Sequence, residues 1–228
     1  QQDGGAQTYL QKPCRYDPTL NVWQSLSLTN APTARAFHTA TLLDDAGTVL
    51  IAGGRTSGSG SSDTCRLFTP AAGWSTTGAL NQARGYHATF MVDGGVYVVG
   101  GLNSTATYRN TWEVYDDGGW TLGAAQMAEG RAELTATVTS GGLVLWLGGH
   151  DSTTAFGNGY WFDPVNGTVD AGVAPFDVVD AGRTRHTAST VLATGEVVVV
   201  GGERSAVADG GPGIAEWLVC GAGGCVFH

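Results

Sequence analysis

Four copies of one short pattern, an apolar run that ends in two glycines, recur along the chain at nearly constant spacing. The intervals between successive glycine pairs are 47, 48 and 53 residues, and the pairs are Gly53-Gly54, Gly100-Gly101, Gly148-Gly149 and Gly201-Gly202. The preceding runs are short and rich in β-branched residues, which indicates strands buried on both faces. A repeat of this length restricts the chain to architectures that stack one small unit several times.

Further elements flank each glycine pair at matching positions. Upstream, an apolar segment opens at an arginine and reaches the glycine strand through an Asp/Gly-rich turn, as in a tight β-hairpin. The arginines are Arg35, Arg84, Arg131 and Arg183, with Arg185 as the other candidate in the fourth copy. Downstream, an aromatic segment follows, and a tryptophan comes after it in two copies, from Phe68 to Trp74 and from Tyr115 to Trp120. The unit is therefore predicted to contain four strands.

A single four-stranded unit has two uncovered faces, and stacking such units around an axis buries both. The apolar run ending in Gly-Gly, followed by spaced Tyr or Phe and then Trp, resembles the kelch repeat. The resemblance covers nearly the whole chain, although Val169 stands where the third repeat would have its tryptophan. It implies an all-β fold, a β-propeller of four-stranded antiparallel blades, with about four to five blades visible.

We predict one kelch-type propeller domain at residues 1–228. A partial N-terminal blade covers residues 1–30, and successive blades cover 31–80, 81–126, 127–176 and 177–228. Gly4-Gly5 lies 49 residues before Gly53, so the sequence opens in the middle of a blade. Either the N-terminal strands complete the last blade, or the chain is part of a larger propeller with further blades. We favour the second interpretation.

The amino-acid composition limits which partners and which cellular compartment can be expected for the protein. The net charge is −9, and the few basic residues, with Lys12 the only lysine, are scattered. Nucleic acid and anionic membrane surfaces both need clustered cations, so neither is expected as a partner. No run approaches the roughly 20 apolar residues of a membrane span. The Gly-, Ser- and Thr-rich composition, with its single lysine, predicts a secreted or cell-surface protein of a bacterial envelope.

The cysteines allow one pairing to be predicted. Cys220 and Cys225 bracket a glycine-rich loop that can fold into a hairpin, so a disulfide between them is expected in an oxidising compartment. The pairing of Cys14 and Cys65 stays open. No set of ligands at metal-binding spacing occurs, and neither a metal nor a cofactor is predicted.

Repeated polar residues are predicted to be structural. The four arginines are expected to bond backbone carbonyls or carboxylates of adjacent blades, and the alternative is a crown of guanidinium groups that grips a carboxylate. Histidines recur three residues after an arginine in three repeats, and Leu134 takes that place in the third. We expect these histidines, His38, His87 and His186, to bond between blades.

The loops between the second and third strands are the predicted ligand-binding elements, because they are the longest and the least alike. The candidate ligand-binding residues in these loops are Arg55, Asn103, Tyr108, Arg109, His150, Asp151, Phe156 and Arg204, and the same loops carry Asp63, Glu203 and Asp209. Tyr, Arg and Phe at such positions suit a protein or glycan ligand.

The sequence therefore predicts a non-catalytic extracellular or cell-surface interaction module that recognises a protein or polysaccharide, since no local catalytic motif occurs. The kelch resemblance also leaves enzymes open. A sugar mutarotase would need Arg and Glu converging in the central pocket, and Glu133 beside Arg131 is the candidate pair. A copper radical oxidase would need Tyr, His and Cys at one site. A third alternative is a structural propeller unit in a large adhesin, with further blades or domains of the same parent protein as neighbours.

Overall fold

A computed structural model describes residues 8–56, 60–173, 182–204, 218–221 and 224–227, and every regular element in these ranges is a β-strand. The strands are β1 Cys14–Asp17, β2 Val22–Ser25, β3 Thr39–Leu42, β4 Val49–Ala52, β5 Cys65–Thr69, β6 Gly73–Thr76, β7 Ala88–Val92, β8 Gly95–Val99, β9 Trp112–Asp116, β10 Gly119–Leu122, β11 Thr135–Val138, β12 Val144–Leu147, β13 Gly159–Asp163, β14 Thr168–Val173, β15 Arg183–Thr184, β16 Thr187–Val191, β17 Glu196–Val200, β18 Glu203–Arg204, β19 Leu218–Gly221 and β20 Gly224–Phe227. Among the described residues, no helix is long and apolar enough to cross a membrane.

Three sheets have the predicted architecture, each with four antiparallel strands in chain order. They are called blade 1 (β3–β6), blade 2 (β7–β10) and blade 3 (β11–β14). In blade 4, β16 pairs with β17, and the hairpin of β19 and β20 lies beside β17. At the N-terminus, β1 and β2 form a separate two-stranded hairpin. The prediction of an all-β propeller with four-stranded antiparallel blades is confirmed.

The aromatic residues of the repeat occupy one register position. Across the third and fourth strands, Phe68 lies opposite Trp74 and Tyr115 lies opposite Trp120, while Phe162 faces Val169 where the tryptophan is replaced. The same aromatics lie opposite the first valine of the second strand, which is Val49, Val96 and Val144 in the three blades. The strand register at this position is therefore the same in blades 1, 2 and 3.

The second strands pack on both faces, as their apolar runs predict. Alternate side chains of each strand point to the preceding and to the following blade. Leu50 and Ala52 of blade 1 therefore share a core with Val96 and Val98 of blade 2. The next two interfaces repeat the arrangement, with Val99 against Val144 and Trp146, and Leu145 and Leu147 against Val197 and Val199. Each fully buried aliphatic side chain contributes about 1.5–3 kcal/mol, so these interfaces supply most of the apolar stabilisation.

The double glycines lie where two blades meet. Gly53 and Gly54 have φ values of +60° and +101°, and a Cβ on Gly53 would lie 2.6 Å from the carbonyl oxygen of Arg84. The amide of Gly54 donates a hydrogen bond to that same oxygen at 2.8 Å. A side chain at Gly53 would therefore separate blade 1 from the backbone that leads into blade 2.

The C-terminal hairpin has the predicted register, since β19 and β20 pair with Cys220 opposite Cys225. The side chains of these cysteines lie outside the described part of the chain, so the disulfide stays a prediction. Cys14 is exposed, Cys65 is buried, and both are free thiols. The assignment of residues 1–228 to one domain with the blade limits given above also stays a prediction.

Candidate functional site

The repeated arginines stabilise the connection between strands within a blade. One guanidinium nitrogen of Arg84 donates to the carbonyl oxygens of Gly100 at 2.8 Å and Thr111 at 3.0 Å. Arg35, Arg131 and Arg183 make the corresponding bond to the first glycine of their own pairs, at 2.7–3.0 Å. The expectation of bonds to carbonyls of adjacent blades is corrected here, because each side chain turns towards the end of its own second strand. Contact with the adjacent blade runs through the arginine backbone carbonyl.

Carboxylates complete two of these networks. Glu113 lies 2.8 Å from Arg84 with neither side chain exposed, and its oxygens also accept bonds from the amides of Asn81 and Gln82 in the connection from blade 1. In blade 3 the partner of Arg131 is Glu129, at 2.8 Å, with its side chain 41% exposed. Phe156 lies over the same Arg131 guanidinium, 4.2 Å from ring centroid to Cζ. Phe156 therefore packs on this structural network, and its part in ligand binding stays a prediction.

Two of the repeated histidines bridge neighbouring blades, as expected. The Nε2 atoms of His87 and His186 lie 3.0 Å from the hydroxyls of Thr39 and Thr135 respectively, each on the preceding blade. Burial lowers the pKa of His87 from 6.5 to about 3 and that of His186 to about 4, so both rings are neutral at physiological pH. His38 is exposed and lines a groove beside blade 1.

Another position of the repeat holds a chemically different side chain in each of the four copies. The residue two places after each repeated arginine has a left-handed backbone, with φ between +56° and +58°, and is not glycine in any of the four copies. These residues, called the inner positions, are Phe37, Tyr86, Glu133 and Arg185. Their amides and carbonyls form a chain across consecutive blades at 2.9–3.2 Å, from Tyr86 to Phe37, Glu133 to Tyr86 and Arg185 to Glu133. The four side chains therefore start from adjacent points around the propeller axis.

A second set of residues surrounds the first. The residue directly after each double glycine pairs, through its backbone, with the residue that follows the repeated arginine. These residues, called the outer positions, are Arg55, Leu102, His150 and Glu203. The inner and outer positions together form what we call the platform, and no two blades contribute the same pair of side chains to it.

One half of the platform is aromatic. The rings of Phe37 and Tyr86 stack with centroids 4.0 Å apart and an interplanar angle of 23°, and Phe37 remains 43% exposed. The guanidinium of Arg55 lies 6.0 Å from the centroid of the Tyr86 ring, within cation–π range. Burial raises the pKa of Tyr86, so its hydroxyl stays protonated. This half offers an apolar surface to a ligand.

The other half is charged and centred on Glu133. Its Oε2 atom lies 2.7 Å from Nε of Arg185 and 3.3 Å from Nε2 of His150, and it also accepts a bond from the Thr184 hydroxyl at 3.1 Å. Partial burial would raise the pKa of Glu133, but these donors outweigh it and lower the pKa from 4.5 to about 2. The hydrogen bond to Glu133 in turn raises the pKa of His150. Arg185 also contacts Glu203 at 3.2 Å, which makes a cluster of alternating charge.

Four of the predicted loop residues reach the platform. Arg55, His150 and Glu203 occupy outer positions, and the ring of Tyr108 meets that of His150 edge-on at 5.5 Å. Asn103 lies beside them, since its carbonyl oxygen is 3.5 Å from Nη1 of Arg55. The structure thus brings together residues from all four of the predicted loops.

Other predicted residues have different positions. The Asp151 carboxylate accepts bonds from the amides of Thr153 and Thr154, at 2.7 Å each, and so stabilises its own turn. Arg109 links blades 2 and 3 through its backbone, which bonds Gly101 and Arg131. The backbone of Arg204 pairs with that of Arg183, but its side chain lies outside the described residues, as does Asp209.

Glu133 and Arg185 are named from the sequence for other reasons, but the inner positions are not predicted as a set, because they do not share a residue type. The available signal was a position that varies between the copies. In a segment that keeps Arg and, in three copies, His, the residue two places after the Arg is Phe, Tyr, Glu and Arg in turn. The structure also does not form the Glu133–Arg131 pair that was the candidate for the mutarotase alternative. Arg131 is bound by Glu129, and Glu133 meets Arg185 of the next blade instead.

The fold and the stacking of blades define the chain as a propeller-like all-β protein. No protein-family model and no curated protein matches its sequence. Among solved structures, the chain is similar to one titled "Structure of YjhT", with a TM-score of 0.72 and 14% sequence identity. The match covers 95% of this chain and 75% of that chain. At this identity the likeness shows the shared fold.

Proposed function

We propose that the chain is a kelch-type interaction module, secreted or on a cell surface, that binds a protein or polysaccharide ligand on the platform. One observation carries the proposal: four equivalent, left-handed backbone positions hold four different large side chains next to one another. Non-glycine residues in this conformation cost about 1–3 kcal/mol each and persist where the surroundings impose them, often at functional sites. The glycine that would relieve the cost is absent from all four positions.

The chemistry of the platform favours an amphipathic ligand. Phe37 and Tyr86 present a flat apolar surface, against which a sugar ring face, an aromatic or an aliphatic side chain can pack. Arg185 and Glu203 are 57% and 61% exposed and offer donors and acceptors for hydroxyl, amide or charged groups. Exposed Tyr, Phe and Arg on a rigid scaffold are the residue types that dominate recognition surfaces. The composition and the predicted Cys220–Cys225 disulfide support the extracellular part of the proposal.

The test is a glycan array and a protein pull-down with the purified chain, followed by titration calorimetry of any ligand found. Phe37→Ala and Arg185→Ala remove one exposed group from each half and are each expected to weaken binding at least tenfold. Trp23→Ala is the matched control, since Trp23 is 69% exposed but lies on the N-terminal hairpin. A ligand whose affinity is unchanged by both platform variants would show that binding occurs elsewhere, and blanks on both assays would count against binding itself.

A sugar mutarotase is the second candidate function, and the cluster around Glu133 favours it. Ring opening of a reducing sugar requires removal of the proton from the anomeric hydroxyl and delivery of a proton to the ring oxygen. Glu133 is ionised and can accept a proton, although its lowered pKa makes it a weak base, and His150, whose pKa the hydrogen bond to Glu133 raises, is a neighbouring proton donor. No comparable observation favours a copper radical oxidase, since among the described residues no three His, Cys, Asp or Glu side chains form a metal-binding group.

Polarimetry or NMR exchange of reducing sugars separates the two functions. A mutarotase would accelerate anomerisation above the buffer rate, and Glu133→Gln would abolish the acceleration. Glu203→Gln is the matched control, because it removes a carboxylate from the same cluster that does not contact His150. A pure binding module leaves the rate at the buffer value even with a saturating sugar ligand.

A further inference from the structure

The ring of His150 on the platform contacts an acceptor through each of its nitrogens. Nδ1 lies 2.7 Å from the carbonyl oxygen of Asp151, and Nε2 lies 3.3 Å from Oε2 of Glu133. A backbone carbonyl and an ionised carboxylate accept hydrogen bonds but cannot donate them. Both contacts are therefore satisfied only when each nitrogen carries a proton, which makes the ring a charged imidazolium.

Glu133 has no proton of its own to share with the ring. Its Oε2 atom also accepts from Nε of Arg185 at 2.7 Å and from the Thr184 hydroxyl at 3.1 Å. Partial burial would raise the pKa of Glu133, but the donors outweigh it and lower the pKa to about 2. The proton between Glu133 and His150 must therefore come from the imidazole ring.

The buried histidines of the repeat are arranged differently. Nε2 of His87 lies 3.0 Å from the Thr39 hydroxyl, and Nε2 of His186 lies 3.0 Å from the Thr135 hydroxyl. A hydroxyl both donates and accepts, so a neutral ring satisfies this contact. Burial lowers the pKa of both rings, whereas the hydrogen bond to its carboxylate partner raises the pKa of His150.

The charged groups that face His150 favour the proton on balance. Glu133 and the Asp151 carboxylate are negative, and both interact with the ring. Arg185 is positive and opposes the proton, but its guanidinium contacts two carboxylates that neutralise it. Tyr108, which meets the ring edge-on, is uncharged because burial raises its pKa. The side chains of His150 and Glu133 are only 22% and 10% exposed, so water and salt screen their attraction weakly.

Loss of one proton leaves His150 with a single donor for two acceptors. The remaining proton stays on Nδ1, because the contact with the Asp151 carbonyl is the shorter one. The lone pair of Nε2 then faces the Glu133 carboxylate, and two acceptors without a proton between them repel each other. Since Arg185 and Thr184 still hold Glu133, it is the His150 ring that turns away.

The side chain of Tyr108 depends on the position of this ring. The two rings meet with centroids 5.5 Å apart and an interplanar angle of 71°. The Tyr108 backbone is paired with Leu102 at the neighbouring outer position, which fixes the loop while the side chain follows His150. Tyr108 comes from blade 2, whereas Glu133 and His150 belong to blade 3, so the imidazolium joins side chains of two blades.

We propose that protonation of His150 is a pH switch that assembles the charged half of the platform. The protonated ring joins Glu133 and Tyr108 into one surface, and this surface separates when the proton is lost. A surface that is already ordered avoids the cost of immobilising side chains on binding, so a platform ligand is expected to bind more tightly to the protonated form. This effect on binding rests on the proposed function, whereas the separation of Glu133 and Tyr108 is a property of the free protein.

NMR titration of the unaltered free protein from about pH 5.5 to about pH 8.5 tests the switch. The His150 ring is expected to titrate with a pKa above 6.5. Nuclear Overhauser contacts between the Tyr108 and His150 rings are expected below the midpoint and should be lost above it. A pKa at or below 6.5, or ring contacts that persist above the midpoint, overturns the proposal.

The same switch predicts a pH dependence of stability. Because the pKa of His150 is raised in the folded chain, its contribution is complete below pH 6.5 and is lost as the pH rises through the folded pKa. Urea midpoints of the unaltered chain should therefore fall over this range, and those of His150→Gln should stay constant. His38→Gln is the matched control, since it removes an exposed histidine that lines the groove beside blade 1, and its midpoints should fall as in the unaltered chain. Constant midpoints in the unaltered chain would contradict the switch.

Binding is tested with the glycan or protein that the array or the pull-down identifies. Its affinity for the unaltered chain should fall about fivefold or more between the two ends of the pH range, and its affinity for His150→Gln should change less. Equal pH dependence in the two proteins would refute the effect on binding. If neither assay identifies a ligand, the proposed function fails, but the titration and the Tyr108 contacts of the free protein still decide whether the switch exists.

Discussion

The two carboxylates that hold repeated arginines, Glu113 in blade 2 and Glu129 in blade 3, allow a quantitative test of how burial sets their contribution. The oxygens of Glu113 receive four donors: Arg84 and the amide of Gln82 on one, and the backbone and side-chain amides of Asn81 on the other. In Glu113→Gln, either orientation of the new amide turns an NH2 group towards two of these donors. The variant also leaves the Arg84 charge fully buried without its counter-ion.

Breaking a fully buried pair costs about 3–5 kcal/mol, because one charge remains uncompensated. Glu129 is 41% exposed and accepts from Arg131 and from the Tyr160 hydroxyl through a single oxygen, a pattern that a glutamine oxygen reproduces. Arg131 is itself only 1% exposed, but solvent screens the exposed Glu129 carboxylate, so we expect this pair to contribute about 1 kcal/mol. Glu113→Gln is therefore expected to be several times more destabilising than Glu129→Gln, although both carboxylates serve equivalent arginines.

Urea unfolding followed by tryptophan fluorescence measures the difference. With m-values of about 2–3 kcal/mol/M, the Glu113→Gln midpoint is expected to fall by roughly 1–2 M and the Glu129→Gln midpoint by less than about 0.5 M. Equal shifts in the two variants, or a shift below about 0.5 M for Glu113→Gln, would refute the assignment of the larger contribution to burial. An unchanged m-value in both variants confirms that the comparison concerns stability alone.

Three further predictions concern pH, the glycine pairs and the platform. His87 and His186 have pKa values of about 3 and 4 in the folded chain, against 6.5 when unfolded. Their contribution to stability is therefore complete above pH 6.5 and is lost as the pH falls through about 4 for His186 and about 3 for His87. Urea midpoints at successive pH values should decline by more in the unaltered chain than in His87→Gln. Gly53→Ala places a Cβ 2.6 Å from a backbone oxygen and should lower the free energy of unfolding by at least about 2 kcal/mol. The control Gly94→Ala, at φ +81° with open space around it, should lower it by only about 1 kcal/mol. Equal losses for the two variants in thermal or urea unfolding would contradict the close approach at Gly53. Glu133→Gln removes the carboxylate that raises the pKa of His150, so NMR titration of that ring should give a pKa lower than in the unaltered chain; an unchanged value would mean that the two groups are not in contact.

The blade architecture was predictable because the same residue types recur at the same positions of each repeat. Second strands with apolar residues on both faces require neighbours on both sides, and Gly-Gly after each run marks where backbones meet, so the blade architecture followed from the pattern. The bridging role of His87 and His186 followed in the same way. The structural role of a residue that recurs at the same position in every repeat can therefore be predicted from the repetition itself.

The platform was less accessible, because it depends on which residues different blades bring together. The sequence offered Glu133 next to Arg131, but an arginine anchored on the first glycine of its own pair is directed away from its neighbour. Glu133 instead meets Arg185, 52 residues further along the chain. Among the loop residues, the positions of Arg55 and His150 after their glycine pairs place them on the platform, while Phe156 packs on Arg131 and the Asp151 carboxylate accepts bonds within its own turn.

The inner positions also allow the backbone strain behind the proposed function to be measured directly. At an ordinary position in a strand, glycine is less stable than alanine by roughly 0.5–1 kcal/mol, because it loses more conformational freedom on folding. Phe37 has φ +56°, where a Cβ is unfavourable by about 1–2 kcal/mol, so the order should invert and Phe37→Gly should be more stable than Phe37→Ala. Both variants lose the stacking on Tyr86 equally, so their difference in urea midpoint isolates the backbone contribution. If Phe37→Gly is the more stable and yet fails to bind the ligand that the unaltered chain binds, the side chain is retained there for recognition at a cost in stability; if Phe37→Ala is the more stable, the strained position does not exist and the argument from it fails.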